Sequence, residues 1–259
     1  MSNMANEQTV NGGSKVKKYL PLLIIVAIFA LFFLLGFDEY LTFNALSENR
    51  DSLLSYVEQH YVLALLIYLG FYVIAVAASL PGGLLLTISG GFLFGWVVGG
   101  LVTVIAATIG ATILFVVAAT SVGNTLRQRA GPWLKKLEAG FQDNALSYLL
   151  FLRLVPAFPF WLVNIAPAFL GVSLRTYVIG TFVGIIPGTF VFAFLGTGLD
   201  SIIVEQQEKV AICKASGQAI CEESFQLGSL FTTEIVLSFV ALGVISLLPI
   251  VIKRFRRSA

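Results

Sequence analysis

From Tyr19 to Phe37 the chain runs for 19 residues without a charge, enough helix to cross the ~30 Å hydrocarbon layer of a bilayer. Comparably apolar stretches follow at 61–96, 97–120, 147–170, 174–197 and 229–252. With 58% hydrophobic and 12% charged residues, against roughly half and a quarter in soluble domains, the chain reads as an all-helical polytopic membrane protein.

The polar segments between these runs decide which runs cross. Residues 1–18 hold three Lys and one Glu; 38–60 hold five acids and one Arg; 121–146 hold four basic groups and two acids. Residues 198–228 hold five acids and two Lys, and the tail at 253–259 holds four basic groups in "KRFRR". Basic loops stay on the cytoplasmic side, so the segments alternate in, out, in, out, in. That order allows one net crossing between residues 60 and 121, yet two apolar runs lie there. The run 61–96 must therefore enter and leave on one side, turning at Pro81-Gly82-Gly83. The same count makes 147–170 re-entrant, turning at Pro156–Pro159. The expected architecture is four transmembrane helices (19–37, 97–120, 174–197, 229–252) plus two re-entrant helical hairpins inserted from opposite faces. That is an inverted repeat. Weak internal similarity agrees: Pro81 precedes "GFLFG" (91–95) by ten residues and Pro159 precedes "AFLG" (168–171) by nine, and "TIGAT" (108–112) and "IIPGT" (185–189) follow.

Around this core, 60–197, residues 1–18 and 253–259 are expected as cytoplasmic tails and 198–228 as an outer loop. Leu46, Leu53, Leu54 and Val57 recur at helical spacing, which suggests a surface helix leaning on the membrane. Trp133, Leu134, Leu137 and Phe141 share a face of a second amphipathic helix, or of a solvated connector, with Pro132 at its start. The apolar run after Lys15, Lys17 and Lys18 ends in "LLGFDEY" without a small-x-small cleavage site and reads as an uncleaved anchor.

Little suggests chemistry. There are two Cys and one His, His60, too few for zinc-type spacing. G-x-S-x-G, the P-loop and a strand-borne G-x-G-x-x-G do not occur. We expect neither an enzyme nor a cofactor or metal, and as partners membrane lipids rather than nucleic acid; a homodimer is left open.

"LPGGLLLTISGGFLFGWVVGG" (80–100), "FLRLVPAFPFWLVNIAPAFLGV" (151–172) and "FVGIIPGTFVFAFLGTGL" (182–199) together resemble the DedA / VTT-domain superfamily over about residues 60–200. The form F-x-R-x-x-P-x-x-P-x-x-x-x-N is closest to its Tvp-type branch, also called SNARE-associated Golgi protein. The resemblance implies two inverted re-entrant hairpins and movement of lipids across or between leaflets, by phospholipid scramblases or carriers of polyprenyl-phosphate lipid. Arg153 matches the arginine at the head of the family's second hairpin. The DedA branch proper has an acid after P-G, where Gly83 stands here, and a second arginine where Pro159 stands, so its proton-coupled mechanism does not transfer to these positions.

Arg153 is the leading candidate for substrate binding. A charge at mid-membrane depth costs roughly 2.5–3.5 kcal/mol on insertion scales, and a guanidinium matches phosphate bidentately. Its competing role is to cap carbonyls freed by Pro156 and Pro159. Asn164, Pro156, Pro159, Pro81, Gly82 and Gly83 complete the candidate binding set, largely as turn-formers, with half-helix N-termini favourable to an anion. Glu234 is a candidate for proton coupling, against an interfacial role favoured by the helix dipole. Cys213 and Cys221 share the outer loop and are expected to form a disulfide if that side is oxidising. The expected function is translocation of an anionic lipid, with a transporter of small ions or solutes, or a non-transporting scaffold, as alternatives. The expected location is a bacterial plasma membrane, with a Golgi-type membrane as alternative.

Overall fold

The computed structural model describes residues 10–37, 39–123, 141, 144–155 and 158–199 and the single positions 212, 213, 216, 240 and 244, with backbone only at 10–18, 122 and 123. Pro156, Cys221, Glu234, the Trp133–Leu134–Leu137 face and, apart from positions 240 and 244, the helix expected at 229–252 lie outside the described residues.

The described elements are α1 (Val10–Leu34), α2 (Phe43–Glu48), α3 (Arg50–Gln59), α4 (Tyr61–Ala77), α5 (Gly83–Ala118) with a π-helical turn at Ala119–Gly123, α6 (Ala145–Leu154), α7 (Phe160–Phe169) and α8 (Leu174–Thr197). Among the described residues there is no strand. By length and composition, Gly83–Ser121 and Leu174–Thr197 can each cross a membrane. The pair α3–α4, bent by 118°, makes a third if taken as one span. The sequence predicts a tail through residue 18, but α1 begins at Val10; extending an existing helix is far easier than starting one.

Helix α5 is not a straight rod. Gly95 breaks it at φ 77°, ψ 157°, next to the boundary that the sequence predicts between 96 and 97. A Cβ on Gly99 would strike the Gly90 carbonyl, although nine residues of straight helix would hold them about 13 Å apart. The chain therefore folds back sharply at Gly95. The part before it, 83–94, is about 18 Å long, whereas 96–118 is about 34 Å and long enough to span.

Helix α4 runs antiparallel to the first part of α5. The Tyr61 and Phe94 rings meet edge-on at 5.9 Å, Tyr68 Oη donates to the Leu86 carbonyl, and Tyr72 Oη bonds Thr87 Oγ1 at 2.9 Å. The same helix runs parallel to the second part, with Tyr68 Oη bonding Thr103 Oγ1 at 2.6 Å and Val73 and Val76 seated on Gly110. The later half repeats this plan. α6 and α8 are parallel and packed directly together, since Leu149 lies on Gly180 and Arg153 on Gly184, and α7 returns against α5. Gly95 and Gly171, the last residues of the two similar motifs, both have positive φ, at 77° and 72°. Both close a short helix and turn it into a long one, in a backbone region that side-chain-bearing residues avoid.

Packing shows which faces are inside. Leu101, Ile105, Ile109, Ile113 and Val116 form an exposed stripe on α5, while Thr103, Ala106, Gly110 and Ala111 are buried. Large apolar residues outside and small ones inside are the arrangement of a helix in lipid, where contact between helices rests on close packing rather than on escape from water. Leu46 and Val57 are buried, and Leu46 and Leu53 cluster with Leu85 and Ile88 of α5, so the surface helices sit on the short arm of α5.

The two halves lock through glycine. A Cβ on Gly91 would strike the Ala193 carbonyl, and one on Gly196 the Ile88 carbonyl. Gly91→Ala and Gly196→Ala should each lower stability by about 1–3 kcal/mol, as overpacking does. Gly70 has open space around it, so Gly70→Ala should instead gain up to about 1 kcal/mol of helix propensity. Unfolding midpoints of the three variants in detergent check the opposite signs.

Candidate functional site

Both interruptions face one cavity of about 370 Å³. The turn after α4 supplies Pro81, Gly82 and Gly83, the interrupted second half supplies Arg153 and Phe160, and α8 supplies Ile185, Gly188, Thr189 and Phe192. The wall is mainly apolar and, among the described lining residues, has one charge, Arg153, and no carboxylate. Among the described residues no His/Cys/Asp/Glu group could hold a metal ion.

Two helices begin at this cavity. α5 starts at Gly83 behind Gly82, at φ 95°, and α7 starts at Phe160 behind Pro159, at φ −57°, ψ 132°. Neither start has a side-chain cap. Their first-turn N–H groups lack intrahelical acceptors and the aligned peptide dipoles leave partial positive charge there. Arg153, at the last turn of α6, adds a full charge of the same sign. The arrangement favours an anion, as helix N-termini commonly do.

A hydroxyl cluster holds Arg153 in place. Nη2 donates to Tyr177 Oη and to Thr181 Oγ1, each at 3.0 Å, and the guanidinium carbon lies 5.7 Å from the centre of the Tyr177 ring. The stem crosses α8 at Gly184, where a Cβ would come within 2.8 Å of Arg153 Cβ. Its described hydrogen bonds thus go to hydroxyls, a role distinct from the expected capping of freed carbonyls. Nε is buried without a partner.

Tyr177 is the residue that the sequence reading missed. It is fully buried, stacks on Phe115 at 4.2 Å, and directs its hydroxyl at the Ala111 carbonyl and at Asn164 Oδ1, both 3.3 Å away. It ties α5, α6 and α7 to α8. Asn164 is fully buried and its Nδ2 has no partner. It sits behind Arg153, off the cavity wall, and bonds Tyr177 rather than the turn backbone. Across the cavity, Tyr72 and Thr87 form their own chain to the Gly83 carbonyl, with Thr87 Oγ1 donating at 2.8 Å. The available signal was the run of Tyr177, Thr181, Gly184 and Gly188 at helical spacing in α8.

Pro81, Gly82, Gly83 and Arg153 therefore meet, Pro159 precedes the adjoining helix without capping it, and Asn164 stands one layer back. Cys213 is disulfide-bonded, while Cys221 lies outside the described residues.

A VTT-domain model matches residues 80–198, the stretch that contains both interruptions. A chain named transmembrane protein 41B from Gallus gallus is 30% identical over 199 residues, covering 69% of this chain and 74% of that one. This chain belongs to the VTT-domain family, in the branch of the transmembrane protein 41 proteins. The human transmembrane protein 41B is 29% identical over 201 residues, covering 70% of this chain and 69% of its own. A transmembrane protein 41 homolog from Dictyostelium discoideum is 33% identical over 155 residues, which is 59% of this chain but only 46% of that longer one. No solved structure matches. The VTT-domain match and these relatives make the chain a membrane protein.

The VTT-domain cluster yields a stability prediction. Tyr177→Phe keeps the ring on Phe115 but removes an acceptor from Arg153 and a donor to Asn164. Leaving buried polar groups unsatisfied costs about 1–3 kcal/mol, so the unfolding midpoint in detergent should fall by a corresponding amount. An unchanged midpoint would show that the hydroxyl cluster does not position Arg153.

Proposed function

We propose that this VTT-domain protein moves an anionic lipid, of phospholipid or polyprenyl-phosphate type, between leaflets, and that the lipid's phosphate passes through the cavity between the two interruptions. One observation carries the reading: a single cation meets two uncapped helix N-termini on a wall with no described carboxylate. A permanent charge at membrane depth needs water or a counter-charge. A lipid phosphate supplies that counter-charge and accepts from the guanidinium N–H groups that Tyr177 and Thr181 leave free.

The topology belongs to the same proposal. α6 and α7, 10 residues each, are about 15 Å long and reach about half depth. α4 with the short arm of α5, and α6 with α7, are the re-entrant hairpins. The long part of α5 and α8 are full spans, joined by 19–37 and 229–252 as the remaining two. The hairpins enter from opposite faces, so both turns meet near the midplane. The membrane is a bacterial plasma membrane in the first reading and a Golgi-type membrane in the second.

Lipid transfer in reconstituted vesicles tests the function. Arg153→Gln removes the charge and Arg153→Lys removes only the fork. A hydrogen bond to a charged group contributes about 1.5–3 kcal/mol, so Gln should slow transfer by at least roughly tenfold and Lys should fall between. Because a Gln amide ends two bonds short of Nη2, which makes the hydroxyl contacts, unfolding midpoints are measured alongside and transfer is compared between variants that are folded. Full transfer by Arg153→Gln rules out the substrate role. Topology has its own check. With Cys213 and Cys221 replaced by Ser, a cysteine at exposed Ser52 should react with an impermeant thiol reagent from outside and one at Ala130 should not. Labelling at Ala130 from outside would overturn the two-hairpin arrangement.

A further inference from the structure

Hydroxyls at membrane depth usually satisfy themselves locally. Ser89, Thr108 and Thr112 here donate to the carbonyl four residues back, and Thr181 accepts from Arg153. Thr189 differs. It is nine-tenths buried, with 9% exposure, it lines the cavity, and among the described residues its hydroxyl makes no hydrogen bond. It lies on the same face of α8 as Thr181, eight residues on, which is about 12 Å along the axis. Arg153 and Thr189 line the same cavity, so the headgroup substituent of a phosphate held at Arg153 lies in the space that Thr189 borders.

We propose that Thr189 is a headgroup-recognition residue, and that the cavity prefers a phosphodiester lipid whose headgroup carries a free hydroxyl. This rests on the lipid reading above and names the lipid class. A headgroup hydroxyl both donates and accepts, and so does the Thr189 hydroxyl, so the two can pair in the cavity. A quaternary ammonium has no N–H to donate to Thr189, and a primary ammonium that donates there brings a charge that no acidic residue in the described lining pairs. A bare phosphate monoester fills the Arg153 end and leaves Thr189 unpaired.

The test is lipid retention by the full chain in nanodiscs, read by native mass spectrometry, with phosphatidylglycerol, phosphatidic acid and phosphatidylcholine as probes, and transfer of the same lipids in vesicles. The wild type should retain phosphatidylglycerol best. Thr189→Val, nearly isosteric, should lower the ratio of phosphatidylglycerol to phosphatidic acid by about three- to tenfold, the worth of one hydrogen bond, and Thr189→Ser should restore it. An unchanged ratio, an equal loss of both lipids, or wild-type retention of phosphatidylcholine equal to that of phosphatidylglycerol overturns the assignment. Retention that depends on Thr189 without any transfer would support the assignment and defeat only the translocation reading. Neither retention nor transfer of any probe overturns both.

Discussion

A helix that stops inside hydrocarbon leaves backbone N–H and C=O groups with no water to bond, at several kcal/mol each. This chain has two breaks between helices in its VTT domain, after Ala77 and after Leu154, and on the proposed re-entrant topology the rest of the described fold serves to hide them. Each short helix is laid against a long one, and the two halves are brought together so that their open ends share one cavity. That requires backbones to approach more closely than side chains allow. Gly91, Gly99 and Gly196 stand where a Cβ would strike another backbone, so the interruptions and the glycines are two sides of one requirement.

The shared cavity explains why a charge is tolerated there. Facing lipid, Arg153 would draw on nothing. Between the ends it is fixed by Tyr177 and Thr181, and the packing of α6 on Gly184 sets its height. Tyr177 in turn is held by the Phe115 ring and by Asn164. The positioning layer thus draws on α5, α7 and α8, and the orientation of one guanidinium depends on the packing between the two halves.

How much of this could be read from the sequence varied with the kind of signal. Charge alternation needs only counting, and it located the turns at Pro81-Gly82-Gly83 and after Arg153 because proline and glycine mark broken helix wherever they cluster. The Gly95 and Gly171 ends were legible as the last letters of two similar motifs. Asn164 was legible as polar but not as to partner, since no periodicity says which buried hydroxyl it meets. Tyr177, Thr181 and Thr189 were hidden for a physical reason. A helix apolar all round has no polar face to contrast with, and a tyrosine in such a run looks like an interfacial anchor until its burial is known. The early start of α1 was also beyond pattern reading, because polar residues continue a helix nearly as well as apolar ones.

Why the cation is arginine follows from the same geometry. A lysine ammonium is a compact, strongly hydrated charge that loses its proton readily when buried. A guanidinium stays charged, spreads that charge over a plane, and can give one nitrogen to the protein while others face a ligand. Arg153 shows the first part of this division: Nη2 is committed to two hydroxyls, while the residue as a whole lines the cavity. On the proposed function, an anchored, flat, permanent charge beside two weak positive poles holds a phosphate in passing without holding it so tightly that it cannot leave. That balance between entry and release is what movement across a membrane requires.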